Sequence, residues 1–442
     1  MKSAGQGRRA LIVGLFVLLG AAPVQVEAEV RGEIIGPGKT RLAVAVAGLR
    51  HNGGREHAGE VERLRDTLAR DLELSGLFRV IPADAYLVAT QDYGITEDAI
   101  DFDDWRAIGA LGLVRGGYTI DSDGILVEIR FFDVVAGRSR GGKKIRGDLE
   151  SVERIAHRTA DAMIEAVTGH LGPFESRIAF VSDRNGHFRE IYSFDFDGRV
   201  TRLSRHETIT MAPAWGPDSQ ALAFTSFKDG GPALYKLDLA SGRESKITRR
   251  LGVNVGAAWS PDGRSVLLAR EVGGNTDIYT IDLSSGRSEQ LTTHWGIDVD
   301  PAWSPDGRRV AFCSSRAGKP QIYTMNADGG GMRRLTFEGN YNCSPAWSPD
   351  GKTIAFAGRR EGRFHIFSMP AKGGNVRQLT FEGANEDPTW SPDSRYIAFS
   401  SNRSGRKKIF LMDLSGRWKI QLTDGVGDDT SPSWSRRLGG VR

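Results

Sequence analysis

The stretch DPAWSPDGRRVAFCSSR, Asp300–Arg316, decides the fold, because close variants of it recur at a fixed interval. Trp215, Trp259, Trp303, Trp347, Trp390 and Trp434 follow one another at spacings of 44, 44, 44, 43 and 44 residues. About eight residues after each Trp comes an apolar triplet such as Leu222-Ala223-Phe224, Val310-Ala311-Phe312 or Ile397-Ala398-Phe399. Ile-Tyr or Ile-Phe follows, as at Ile278-Tyr279, Ile322-Tyr323 and Ile409-Phe410, and then Leu-Thr, as at Leu291-Thr292 and Leu335-Thr336. Each unit therefore holds four short β-rich runs, a to d, separated by turn residues. Ser-Pro-Asp-Gly supplies the a–b turn: Pro presets φ at the second turn position, and Gly takes the left-handed residue that follows. Four strands per repeat of about 44 residues, six times over, predict a six-bladed β-propeller.

The register of the repeat predicts how the ring closes. The first unit begins at run b, Arg177-Ile178-Ala179-Phe180, and the last ends at run a, Pro432-Ser433-Trp434-Ser435. Strand a of the last repeat is expected to pair with strand b of the first, leaving no open edge at the seam.

Upstream the pattern changes. Arg41–Ala47 reads as a strand. Val61, Leu64, Leu68 and Leu72 recur at helical spacing between His57 and Leu74. Leu111–Ile120 and Ile125–Val135 read as an antiparallel pair around Asp121-Ser122-Asp123-Gly124. Glu150–Thr168 reads as a second amphipathic helix, with Val152, Ile155, Ala156, Met163 and Val167 inward, ended by Leu171-Gly172-Pro173. The expected organisation is mainly β: a small α/β domain over 41–172, then the propeller over 173–442.

The first 28 residues read as a cleavable export signal. Lys2, Arg8 and Arg9 precede an apolar run, Leu11–Ala22, too short for a membrane-spanning helix. Val26 and Ala28 place small residues where a signal peptidase cuts, so cleavage is expected after Ala28. Residues 29–40 then form the mature amino-terminal segment. The 442-residue chain carries 59 Lys and Arg against 55 Asp and Glu, a formal charge of +4, which does not suggest a nucleic-acid binder. Cys313 and Cys343 are the only cysteines; an exported protein allows them to bridge, and nothing in their spacing requires it.

The residue types of catalytic sites are present without their arrangement. Gly137-Arg138-Ser139-Arg140-Gly141 matches the Gly-x-Ser-x-Gly pattern of a nucleophile elbow, but it joins two β-like runs instead of a strand and a helix. Ser193–Gly198 begins like a calcium loop, yet Ser204 stands where a bidentate Glu is needed, and the segment fills a c–d turn. The eight His show no metal-ligand spacing. No cofactor and no metal are expected. Catalysis also needs one convergent set of groups, whereas Ser-Pro-Asp-Gly recurs around a ring.

Function is expected where the repeat varies. The segments just before each Pro-Ala-Trp should ring the mouth of the channel. They carry Asp298 and Asp300, Glu386 and Asp387, Asp428 and Asp429, together with Asn254, Asn342 and Asn385. The b–c loops of the same face are basic, with Arg316 and Lys319, Arg359, Arg360 and Arg363, and Arg403, Arg406, Lys407 and Lys408. This predicts an acidic funnel inside a basic collar, suited to a partner that inserts a basic or amide-rich loop. Two other classes remain open: a serine hydrolase using Ser139, and a propeller that binds a glycan or a cation in its channel.

The export signal, the small α/β domain and the six Trp-centred repeats together resemble the TolB family, periplasmic propeller proteins of the Tol-Pal system. The resemblance spans the whole mature chain. It implies a non-enzymatic periplasmic scaffold that helps maintain and constrict the outer membrane at division. It implies docking of the outer-membrane lipoprotein Pal at the channel mouth, here Val253, Asn254 and Gly256 in one blade and Val299 and Asp300 in the next. Val253 stands where a polar residue is common in the family. It further implies that the mature amino terminus, here Glu29-Val30-Arg31, engages TolA; other Tol-Pal or outer-membrane proteins are further candidate partners.

Overall fold

The computed structural model describes residues 41–54, 57–87, 94–248 and 253–438. The signal segment, the cleavage position Ala28 and the Glu29-Val30-Arg31 segment lie outside the described residues.

The α/β domain is a five-stranded sheet in the order β2-β1-β3-β4-β5, from β1 (Leu42–Gly54), β2 (Phe78–Ile81), β3 (Gly112–Asp121), β4 (Gly124–Asp133) and β5 (Arg138–Gly147). β1 runs parallel to β2 and β3, and β3-β4-β5 is an antiparallel meander. Helices α1 (Ala58–Leu74) and α3 (Val152–Thr168) pack together on one face, while the short α2 (Phe102–Ala107) buries Trp105 in a second cluster. The apolar positions at helical spacing are the buried ones: Val61, Leu64, Leu68 and Leu72 on α1, and Val152, Ile155, Ala156 and Met163 on α3. Val167 is only partly covered. Gly169, at φ 77, stops α3, because a left-handed residue after the last turn costs glycine nothing.

Six four-stranded sheets follow. We number the blades by their inner strands: Thr210–Trp215 (blade 1), Asn254–Trp259 (2), Asp298–Trp303 (3), Asn342–Trp347 (4), Asn385–Trp390 (5) and Asp429–Trp434 (6). Blade 6 closes the ring as the register predicts. Its inner strand pairs antiparallel with Arg177–Ser182, Trp434 facing Ile178, while Glu190–Asp195 and Val200–Arg202 complete the sheet.

The repeated motif is consumed by architecture. In blade 3 the Ser304 hydroxyl donates to Asp306 Oδ1 (2.5 Å) and accepts from the Arg309 N–H (2.9 Å), and Gly307 takes φ 69. The Trp side chains tie blades together. The Nε1 atoms of Trp215, Trp259 and Trp390 donate to the carbonyls of Ser433, Ala214 and Ala346, each in the inner strand of the preceding blade. The Thr of Leu-Thr closes the outer edge. Thr292, Thr336, Thr380 and Thr423 accept from the N–H groups of Ile278, Ile322, Ile366 and Ile409 at 2.8–3.0 Å. Cys313 in strand b of blade 3 and Cys343 in the inner strand of blade 4 are bonded, with Cα atoms 4.9 Å apart. The bridge therefore cross-links neighbouring blades, as the place of both cysteines near one end of neighbouring repeats allows.

The α/β domain packs against the propeller through buried groups. The Tyr396 hydroxyl donates to the carbonyl of Ser75 (2.7 Å), and Arg70 donates to the carbonyls of Phe196 and Asp197. Asp161 of α3 lies under Arg437 (3.1 Å) and accepts from the N–H groups of Phe174 and Glu175. Asp71 and His157 form a second buried pair at 2.5 Å.

Candidate docking face at the channel mouth

The geometry of the mouth comes from a defect repeated in every inner strand. Pairing between strands a and b slips by one residue in all six blades. At each slip one residue adopts a left-handed backbone: Ala212 (φ 51), Gly256 (72), Asp300 (53), Ser344 (52), Asp387 (54) and Ser431 (50). A bulge re-aims the side chain at the extra residue. For any residue other than Gly this backbone costs on the order of 1 kcal/mol, and at Asp or Ser a local hydrogen bond offsets it. Those bonds run from blade to blade. The N–H and hydroxyl of Ser344 donate to Asp300 Oδ2 (3.1 and 3.2 Å), and the Ser431 hydroxyl donates to Asp387 Oδ2 (3.1 Å).

The residues expected at the mouth separate into two sets. Asn254, Asp298, Asn342, Asn385 and Asp429 open their inner strands and are buried within the blades. Asp298 is held by Arg316 at 2.8 Å. Asp429 is held by Arg184 (3.0 Å), Lys408 (3.2 Å) and the Ser182 hydroxyl (2.6 Å). Asn254 accepts from Arg270 (2.8 Å), and Asn385 accepts from Arg403 (2.6 Å). Arg316, Arg403 and Lys408 of the basic collar are thus folded down onto these residues. The expected funnel is narrower than the sequence suggests, because its Asp298 and Asp429 carboxylates are neutralised inside the sheets.

The second set faces water. Val253 is 44% exposed, Asp300 is exposed, and Gly256, Val299, Glu386, Asp387 and Asp428 are partly exposed. Glu386 is paired with Lys407 at 2.6 Å, and Asp428 accepts the Lys407 N–H. Asp300 and Asp387 form no ion pair among the described residues. Water reaches them through the channel, but protein surrounds them. Desolvation raises the pKa of Asp300. Desolvation, with added repulsion from Glu386 and Asp300, raises that of Asp387 to about 6. Burial and the field of the same acids raise the pKa of Tyr341. Ser344 and Ser431, bonded to these acids, are not among the residues expected at the mouth. The signal for the two serines is their spacing of 44 residues from Asp300 and Asp387.

Among the described residues no catalytic arrangement forms at Ser139. It is the second residue of β5, its N–H donates to Glu97, and its hydroxyl accepts from the Gly141 N–H (3.3 Å). The Ser193–Gly198 segment is the end of a strand and a c–d turn in blade 6. Among the described residues, no cluster of three or more His, Cys, Asp or Glu could hold a metal ion, and no helix is long and apolar enough to cross a membrane.

These features define a six-bladed propeller protein with an amino-terminal α/β domain and an acidic channel mouth. The family model of the TolB beta propeller domain matches residues 164–438, and that of the TolB amino-terminal domain matches residues 30–140. The chain belongs to the TolB family. The Tol-Pal system protein TolB of Syntrophotalea carbinolica is 40% identical over 213 residues, 48% of this chain and 49% of that one. That of Geobacter sulfurreducens is 39% identical over 214 residues, again 48% and 49%. The chain thus spans about half the length of the curated relatives it matches. The crystal structure of TolB from Acinetobacter baumannii is similar with a TM-score of 0.80 at 27% identity, covering 91% of this chain and 98% of that chain.

Proposed function

We propose that the protein is a non-enzymatic periplasmic scaffold of the Tol-Pal system. It docks the lipoprotein Pal at the channel mouth and engages TolA through the segment beginning Glu29-Val30-Arg31. In this role it supports outer-membrane integrity and constriction at division. The basic start, short apolar run and Val26-Glu27-Ala28 of the leading segment support export to the periplasm. One observation carries the docking reading: two carboxylates at the same bulge position of blades 3 and 5, Asp300 and Asp387, are presented at the channel without an ion pair among the described residues, whereas Asp298, Glu386 and Asp429 are each paired with a cation. Unpaired, poorly solvated acids gain from an incoming cation or amide what they cannot gain from their own blade. Val253, Gly256, Val299, Glu386 and Asp428 form the accessible surround, while Asn254, Asp298, Asn342 and Asp429 act by fixing the strands that carry it.

Replacing Asp300 and Asp387 by Lys should weaken binding of the soluble Pal domain on the order of a hundredfold, as calorimetry would read. Unchanged affinity would remove the acidic mouth from the account.

A further inference from the structure

Five blades share a device that the sixth lacks. In each, a cation from strand b or the b–c loop lies over the aromatic ring of strand c: Arg184 over Tyr192 (5.1 Å), Lys228 over Tyr235 (4.2 Å), Arg270 over Tyr279 (4.8 Å), Arg316 over Tyr323 (5.2 Å) and Arg403 over Phe410 (4.9 Å). In four of them the same guanidinium bonds a side-chain oxygen of the first inner-strand residue: Asp429, Asn254, Asp298 and Asn385.

Blade 4 keeps the receiving groups and lacks the cation. Phe356 and Phe367 stack at 5.5 Å with 16° between their planes, and no cation covers them among the described residues. Asn342, 6% exposed, donates through Nδ2 to Gln321 Oε1 (2.9 Å) and to the carbonyl of Glu338 (2.8 Å). The acceptors on both sides fix the amide, and Oδ1 accepts no hydrogen bond among the described residues. Two local features explain the vacancy. Gly358 stands where the other blades have Ser182, Ser226, Arg270, Ser314 and Ser401, and a Cβ there would meet Asn342 Oδ1 at 2.6 Å and the Phe367 ring at 2.9 Å. Strands b and c also continue to a tight turn at Glu361 (φ 52) and Gly362 (φ 81), which carries Arg360 outward to Gln378 Oε1 (3.1 Å). What remains is a cleft of about 620 Å³ between blades 3 and 4, on the face of the channel mouth. Phe356 and Phe367 line it together with Asn342, Gln378 and Phe337, which is 71% exposed. The Cys313–Cys343 bridge pins the strand that presents Asn342.

We propose that this cleft receives the guanidinium of an arginine side chain carried by a protein that docks on this face. The guanidinium lies over the Phe356–Phe367 pair and donates to Asn342 Oδ1, completing from outside the arrangement that the sister blades complete from within. Arg359 and Arg360 outnumber Glu338 in the lining of the cleft, so net charge does not draw a cation there, and recognition rests on the ring faces and the bare oxygen. The inference rests on blade geometry and not on the acidic mouth. Charge reversal at Asp300 and Asp387 therefore leaves it intact.

The test is a saturation-transfer NMR titration of the purified protein with three probes: a Gly-Arg-Gly peptide capped at both ends, its citrulline counterpart, and agmatine. The arginine peptide and agmatine should saturate one site with affinities within about threefold of each other, and the neutral citrulline peptide should bind at least about tenfold more weakly. Phe367→Leu should weaken the arginine peptide about tenfold. Tyr323→Leu, in a blade with its own Arg316, should leave it unchanged, and Arg360→Ala should leave it unchanged or tighter. Absence of saturable binding, or equal binding of the citrulline peptide, would overturn the proposal without recourse to any variant. Loss of binding in Arg360→Ala would make the cleft an anion site. Agmatine binding tenfold tighter than the peptide would assign it to a free small cation instead of a docking side chain.

Discussion

The channel mouth and the junction between the α/β domain and the propeller are both rich in carboxylates, and they treat them in opposite ways. At the junction two buried acids have built-in partners. Asp161 lies under Arg437 with two backbone N–H groups turned to it, and Asp71 is bonded to His157. At the mouth Asp300 and Asp387 receive only serine and backbone donors from the neighbouring blade. Burial raises the pKa of Asp161 and of Asp387 to about 6 in both cases. What differs is the missing cation and the open water path. An acidic residue on a face is therefore weak evidence of docking by itself; an acid denied a partner by its own fold, within reach of solvent, is stronger evidence.

Breaking the junction should have the largest effect. Arg437→Ala leaves the Asp161 carboxylate buried with only its two N–H donors, and should cost about 2–4 kcal/mol at pH 7.5 in denaturant unfolding. The loss should shrink as the pH falls toward about 6, because without Arg437 the Asp161 carboxyl takes its proton above the wild-type value and no longer needs the guanidinium. A loss equally large at pH 5 would mean that Arg437 acts by packing.

The opposite sign is expected at the mouth. The pKa of Asp387 is raised in the folded protein, so the native state favours its protonated form. Its contribution to stability is fully present below the unfolded value near 3.8 and is lost as the pH rises through about 6. Asp387→Asn should therefore stabilise the protein by about 1–2 kcal/mol at pH 7.5, and the gain should vanish near pH 4. Destabilisation at pH 7.5 would show that the carboxylate is needed by the fold and is not held in reserve for a partner.

The two regions also differ in how far the sequence discloses them. The propeller, its blade count and its closure follow from the Trp spacing, because each motif residue makes a local turn or a contact one repeat away, and 44-residue periodicity records both. The α/β elements follow from apolar spacing on α1, α3 and the β3–β4 pair. At the mouth the sequence marks the right segments but not which of their acids are free. Asp298 and Asp300 are two residues apart and look equivalent. The bulge at Asp300 turns one to the channel, while Arg316 folds back onto the other. Such pairing depends on how long each b–c loop is and where it bends. The same limit hides the empty place in blade 4, where Arg360 looks like its counterparts Arg316 and Arg403 until the strand is seen to carry it outward. The repeat places Cys313 and Cys343 near one end of neighbouring units without requiring their bridge, and the Asp161–Arg437 pair joins segments that no local pattern links.

The measurement that bears most directly on the central claim is the affinity of the soluble Pal domain across pH 5 to 8, for the wild type and for Asp300→Asn/Asp387→Asn. The account predicts wild-type binding that weakens about tenfold as the pH falls through 6 and Asp387 takes up a proton, and a double variant that binds weakly with a flat profile. A double variant that keeps both the affinity and the pH profile of the wild type would contradict it.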